Sequence, residues 1–344
     1  MLSDAATRDL LPMLRAILPT GVRGPPGHAA AVRLSIVPTS TTSPERLGAG
    51  VAFGIAAYGL WGLLPAFFVF LAPTGAVEIV AWRVLFSLVF CALLLTVTRG
   101  WGRFAAVLRN RKTTLALGIA GLVILTNWLV FIFAALSGHV VEASLGYFTN
   151  PILTVLLGVL VLREKLRPLQ WAAIAISAIA VIVLAVNYGA VPWIALVLAS
   201  TFAVYGLIKK RVGGTVDAIS GLAMETLWLA PIAVAMLIGV GLFSGLTIGT
   251  INPLHTTAML ATGIVTAVPL LFFASAARRL PLVYMGLTQY LAPILQFLTG
   301  VFLLGEDMPP ARWAGFAIIW VALLVLSIDM VLSARANRRT TVMV

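Results

Sequence analysis

In the stretch HVVEASLGYFTNPI, residues 139–152, Glu142, Gly146, Thr149 and Asn150 recur at i, i+4, i+7 and i+8, with Tyr147 beside them. That spacing sets the four on one stripe of a helix. A carboxylate can carry a proton, and an amide or hydroxyl can hold a polar solute. The flanking sequence is apolar, so a polar group here costs free energy unless it has a partner or a task. Similar stripes recur elsewhere: Gln289, Pro293, Gln296 and Gly300, and Gly54, Tyr58, Trp61 and Pro65. Asn127 and Trp128 interrupt one apolar run, and Thr201 and Tyr205 another. Together they would make a cavity of aromatic walls and a few amides. Small and weakly polar residues also serve as packing contacts between membrane helices, and the two readings stand side by side.

Four ionisable residues within the apolar runs stand out. A charge at the centre of a bilayer helix costs roughly 2.5–3.5 kcal/mol on insertion scales. Arg83 falls eight residues into its apolar run, about 12 Å from the end at 1.5 Å per residue. Glu142 lies in the same half of the bilayer, which predicts an Arg83–Glu142 pair. Glu225 falls in the opposite half. Asp329, close to the end of its run, is expected to reach water.

The elements that must position these groups are membrane spans. Of the 344 residues, 61% are hydrophobic and 10% charged, and residues 47–77 carry no charge. About 20 apolar residues cross a hydrocarbon core of about 30 Å. Ten runs qualify, at 48–71, 76–97, 114–136, 140–162, 169–187, 190–208, 218–241, 256–276, 281–304 and 311–333. With ten spans, all the 23 basic residues except Arg83 and Arg312 fall on one face of the membrane. That bias predicts both termini to be cytoplasmic. It also accounts for the net charge of +12 without a nucleic-acid partner.

The chain repeats itself. PILTVLLGVLVLREKLRPLQWAAIAI, residues 151–176, and PILQFLTGVFLLGEDMPPARWAGFAI, residues 293–318, share Pro, Gly, Glu, Pro and Trp at one register. Two five-span repeats follow, 47–188 and 189–335. Five is odd, so the second must be inverted relative to the first. Residues 1–46, rich in Pro, Gly, Ser, Thr and Arg, read as a disordered cytoplasmic tail or as sequence upstream of the true start. Residues 336–344 read as a cytoplasmic C-terminal tail. The fold class is an all-α polytopic membrane protein of ten helices in two inverted five-helix repeats, an architecture common among secondary transporters.

Other chemistry finds little support. Cys91 is the lone cysteine, so no intrachain disulfide or thiol–metal cluster can form. His139 and His255 have no carboxylate cluster beside them. Ser244 has no general base, Gly213-Gly214 follows no strand, and no ATPase motif is present. The expectation is a non-enzyme without cofactor or metal. Its partners would be a small-molecule solute, the lipid bilayer and protons, and a homodimer is compatible with the sequence.

The repeat unit, ending in its Pro…Gly…Glu…Trp pattern, resembles the EamA repeat of the drug/metabolite transporter superfamily. AAYGLWGLLPAFF (56–68), EIVAWR (78–83), NWLVFIFA (127–134), EASLGYFTNP (142–151), ETLWLAP (225–231) and TGIVTAVPLLFFASAARRL (262–280) carry the likeness. Arg83, Ser87, Asn127, Trp128, Glu142 and Asn150 match the family, whereas Val69, Trp82 and Phe86 depart from it. The resemblance implies a bacterial inner-membrane permease. The expected activity is export of a small metabolite or drug by alternating access, proton-coupled through Glu142 or Glu225. The rival is a scaffold or sensor that keeps the transporter fold without transport.

Overall fold

The structure, a computed structural model, describes residues 44–162, 166–188, 191–212, 215–277, 279–280 and 282–342. The proposed N-terminal tail up to residue 43 lies outside them, as do Glu164 of the repeat and the Gly213-Gly214 pair. Every regular element among the described residues is helical. The first repeat contains α1 (Pro44–Phe70), α2 (Ala76–Val97), a short α3 (Trp101–Arg109), α4 (Arg111–Leu136), α5 (Val140–Leu162) and α6 (Pro168–Tyr188). The second contains α7 (Trp193–Val212), α8 (Ala218–Phe243), α9 (Pro253–Ala277), α10 (Leu282–Thr288), α11 (Leu291–Leu298) and α12 (Pro310–Val342). Nine described stretches are long and apolar enough to cross a membrane, and Pro168–Leu184 of α6 adds a shorter apolar helix.

Three details differ from the sequence reading. The basic segment between the second and third spans holds the short helix α3, which the span reading did not include, with Val107 buried and Trp101 exposed. The expected single span 281–304 is broken into α10, α11 and a π-helical turn, Thr299–Leu303. Pro293 has no N–H to offer the Gln289 carbonyl, and the gap falls at residues 289–290. Residues 336–342, the described part of the proposed C-terminal tail, are a helical continuation of α12.

Each helix finds its main partners in the other repeat. α2 packs on α8 and α6 on α12, each against its own counterpart. α7 packs on α4 and α5, and α1 correspondingly packs on α9 and α11. This is the contact pattern of a pseudo-twofold axis. It produces two three-helix bundles, α4–α5–α7 and α1–α9–α10/α11, each holding one helix from one repeat and two from the other. Apolar residues fill the space between helices, among them Phe68, Ile79, Ile132 and Leu198, while Leu242, Phe243 and Phe302 face outward.

Close helix crossings depend on glycine. A Cβ on Gly146 of α5 would lie 2.7 Å from the Ala195 carbonyl oxygen of α7, and one on Gly263 of α9 would overlap the Phe86 backbone of α2. Backbone cannot yield as a side chain can. Gly146→Ala and Gly263→Ala are each expected to lose about 1–3 kcal/mol. Gly59→Ala, with nothing within 4 Å of its Cβ, should instead gain about 0.5–1 kcal/mol. Thermal melting of the purified variants checks the opposite signs; loss in all three would rule out crossing geometry as the cause.

Candidate functional site

Arg83 sits on α2, between the two bundles, and is 4% exposed. Its Nε donates to Thr266 Oγ1 of α9 at 2.8 Å, and that hydroxyl donates in turn to the Thr262 carbonyl at 2.7 Å. The guanidinium lies 4.2 Å from the Trp128 ring centroid of α4 and 5.5 Å from that of Phe68 of α1. It therefore touches both bundles at once. Its Nη1 is buried without a hydrogen-bond partner, and so is Ser87 Oγ, one helical turn further along α2.

The expected Arg83–Glu142 pair does not form. Glu142 Oε1 instead accepts from the Ile194 N–H of α7 at 3.0 Å. The first-turn amides of a helix have no intrahelical acceptor, and they attract a carboxylate. Depth placed the two side chains at one level, but the direction in which each leaves its helix separated them.

Asn127 is committed within its own bundle. Its Nδ2 donates to the Leu198 carbonyl at 3.1 Å and to Thr201 Oγ1 at 2.9 Å, and its Oδ1 accepts from the Tyr147 hydroxyl at 2.9 Å. These bonds tie α4, α5 and α7 together. In the counterpart bundle the Tyr58, Trp61 and Phe273 rings pack with centroids 5.4–6.1 Å apart. There Gln296 Nε2 donates to the Trp61 carbonyl at 3.3 Å, while its Oε1 is buried without a partner. Asn150 is also buried, with Oδ1 unpartnered, one turn beyond Tyr147 on α5. Gln289 is half-buried in the gap between α10 and α11.

Two acidic residues have partners that sequence did not pair with them. Glu225, 1% exposed, accepts from Lys209 Nζ at 2.6 Å and from the Tyr205 hydroxyl at 3.1 Å. Asp329 does not reach water; it is 3% exposed and pairs with Arg167 at 3.0 Å, because α6, starting at Pro168, packs along α12.

The face opposite the basic one is closed by carboxylates on backbone amides. Glu306, following the π-helical turn, accepts from Val140 N at 2.5 Å and from Val141 N at 2.9 Å, the first amides of α5. Glu78 of α2 accepts from the N–H groups of Thr247 and Ile248, beyond α8. Glu306 is the repeat partner of Glu164, the one signal in the sequence that marked it. At the basic face, an open cavity of about 420 Å³ lies between α3, α4 and the start of α8, beside Arg103 and Asp217. None of the candidate residues named from sequence lines it.

A helical bundle of two interleaved inverted repeats, with a half-satisfied cation at its centre, has the form of a membrane carrier. The family comparison agrees: residues 48–186 match the EamA-like transporter family. The chain belongs to the EamA-like transporter family, as a multi-pass protein of the bacterial inner membrane. Among its relatives, Protein RarD of Streptomyces exfoliatus is 46% identical over 289 residues, covering 84% of this chain and 91% of that one. Protein RarD of Escherichia coli K12 is 38% identical over 291 residues, 84% of this chain and 97% of that one. The chloramphenicol-sensitive protein RarD of Pseudomonas aeruginosa is 33% identical, covering 85% and 97%. A solved crystal structure superposes with a TM-score of 0.54 at 20% identity, covering 80% of this chain and 96% of that one, a likeness of fold alone.

Proposed function

We propose that the protein exports a small solute from the cytoplasm by alternating access, with both termini cytoplasmic and a proton as the coupling ion. The observation that carries this reading is the exchange of helices between the repeats. The bodies that rock are then not the two halves of the sequence but the bundles α4–α5–α7 and α1–α9–α10/α11. Arg83 lies where they meet. A scaffold that kept only the fold would have no use for the unpartnered buried Arg83 Nη1, Asn150 Oδ1 and Gln296 Oε1. The alternation of basic loops supports the orientation. One relative carries the name chloramphenicol-sensitive protein, and a drug-sized solute is compatible with the reading.

Glu142 is the better proton carrier of the two candidates, since Glu225 is held by Lys209 and the bond described for Glu142 is to a backbone amide. Glu142→Gln keeps an acceptor oxygen for Ile194 and so should fold normally. One proton moved through 100 mV supplies about 2.3 kcal/mol, about a fifty-fold gradient. Energised everted vesicles, profiled for solutes by untargeted mass spectrometry, should show accumulation that an uncoupler abolishes and Glu142→Gln lacks. Accumulation equal in wild type and Glu142→Gln would discard the coupling role. No accumulation of any solute would discard transport.

A further inference from the structure

The centre of the molecule says what kind of solute fits. An arginine stays charged in a protein, and Arg83 is 4% exposed among apolar helices. Such a charge calls for a counter-charge. Four acidic groups of the apolar helices are engaged elsewhere: Glu225 with Lys209, Asp329 with Arg167, Glu78 with the amides of Thr247 and Ile248, and Glu142 with that of Ile194. What Arg83 does contact is neutral: the Thr266 hydroxyl and the faces of Trp128 and Phe68.

From this we infer that the transported solute is an organic monocarboxylate whose negative group docks on Arg83 and whose apolar body packs on Trp128. The inference rests on the transport reading and narrows it. Thr266 takes Nε, and its own hydroxyl proton is committed to the Thr262 carbonyl, so the guanidinium is oriented before any ligand arrives. Nη1 then remains to be satisfied, and Ser87 Oγ on the same face of α2 supplies a second unpartnered group. A carboxylate offers two acceptor oxygens to such a set, in the planar geometry a guanidinium prefers. A neutral amide would satisfy a hydrogen bond but leave the charge. A cation would be repelled. The rings near the site, Trp128 and Phe68 on the guanidinium and Phe131 against both Phe68 and Tyr147, favour a flat apolar body over a sugar.

The test is binding, with no gradient applied. The purified full-length protein in lipid nanodiscs is melted with millimolar acetate, benzoate or indole-3-acetate, or with benzamide, the neutral near-isostere of benzoate. Benzoate or indole-3-acetate is expected to raise the melting temperature of wild type and of Arg83→Lys, which keeps the charge. Benzamide is expected to do nothing, and Arg83→Gln to abolish the carboxylate response. Protection by benzamide equal to that by benzoate overturns the inference, as does a carboxylate response that survives Arg83→Gln, or no response of wild type to any of the three carboxylates. Should Arg83→Gln fail to fold, Arg83→Lys and the benzoate–benzamide contrast in wild type still decide. Carboxylate binding without energised accumulation of any solute would sink transport but keep the site. Accumulation of neutral or cationic solutes alone would do the reverse.

Discussion

Replacing Lys209 with alanine is expected to destabilise the protein far more than replacing Glu225 with glutamine, although the two form one ion pair. The asymmetry follows from burial. The Glu225 side chain is 2% exposed and that of Lys209 30%. Lys209 lies in the last turn of α7. Without its partner it can extend along its own stem toward water. Glu225 has no such route, and Tyr205 alone cannot offset a carboxylate held away from solvent. Removing one member of a buried pair and stranding the other typically costs about 3–5 kcal/mol. That is a large share of a stability that for folded proteins lies at about 5–15 kcal/mol. Glu225→Gln keeps the volume and an acceptor for Tyr205, so it should cost about 1–2 kcal/mol, the scale of a weakened hydrogen bond. The double variant Lys209→Met/Glu225→Gln strands no charge and should recover most of the loss. Melting of the four purified proteins would show the order. Equal losses in Lys209→Ala and Glu225→Gln would mean that the stranded carboxylate is not the cause.

Span count and repeat were legible because each leaves a strong mark in one dimension. Apolar run length is set by the bilayer, and the alternation of basic loops follows span parity. Partner choice leaves no such mark. The apolar residues of α2 and α8 are spread around each helix rather than gathered on one face, so nothing in either sequence announces that they pack together. The same limit undid the Arg83–Glu142 pair, since depth follows from residue count but azimuth does not. Gly146 and Gly300, read as either pathway or packing, resolve as packing: a Cβ on Gly300 would lie 2.8 Å from Val141 Cγ2. Asn127 has its amide hydrogen-bonded inside one bundle. Pro293 falls beside a helix break while its repeat partner Pro151 is absorbed within α5, and nothing in the structure explains the difference. Arg83 was legible as a problem, a charge in an apolar run. What the structure adds is that no carboxylate among the described residues pairs with it.

Glu306→Ala should open the face opposite the basic loops. Glu306 joins the two bundles, since it follows α11 in one and bonds the first turn of α5 in the other. Its loop is itself held, with Glu306 N donating to the Gly300 carbonyl at 2.9 Å and Leu304 N to that of Thr299 at 2.9 Å. The carboxylate thus reaches across the seam from an anchored base to two amides that have no other acceptor. A carboxylate at a partly buried helix N-terminus contributes up to about 2 kcal/mol. Losing that much raises the fraction of molecules with the seam open by about thirty-fold, if it starts as a minor state. Cys91 is 1% exposed, so a cysteine placed at Val141, itself 1% exposed, would report alone. Its labelling by a membrane-impermeant maleimide, added outside intact cells, should accelerate by about that factor in Glu306→Ala when exchange is faster than labelling. Glu306→Asp, one methylene short of both amides, should fall between. An unchanged rate in Glu306→Ala would show that the seam is sealed by packing around Gly300 rather than by the carboxylate. Acceleration seen only with reagent on the cytoplasmic side would reverse the proposed orientation of the chain while leaving the latch intact.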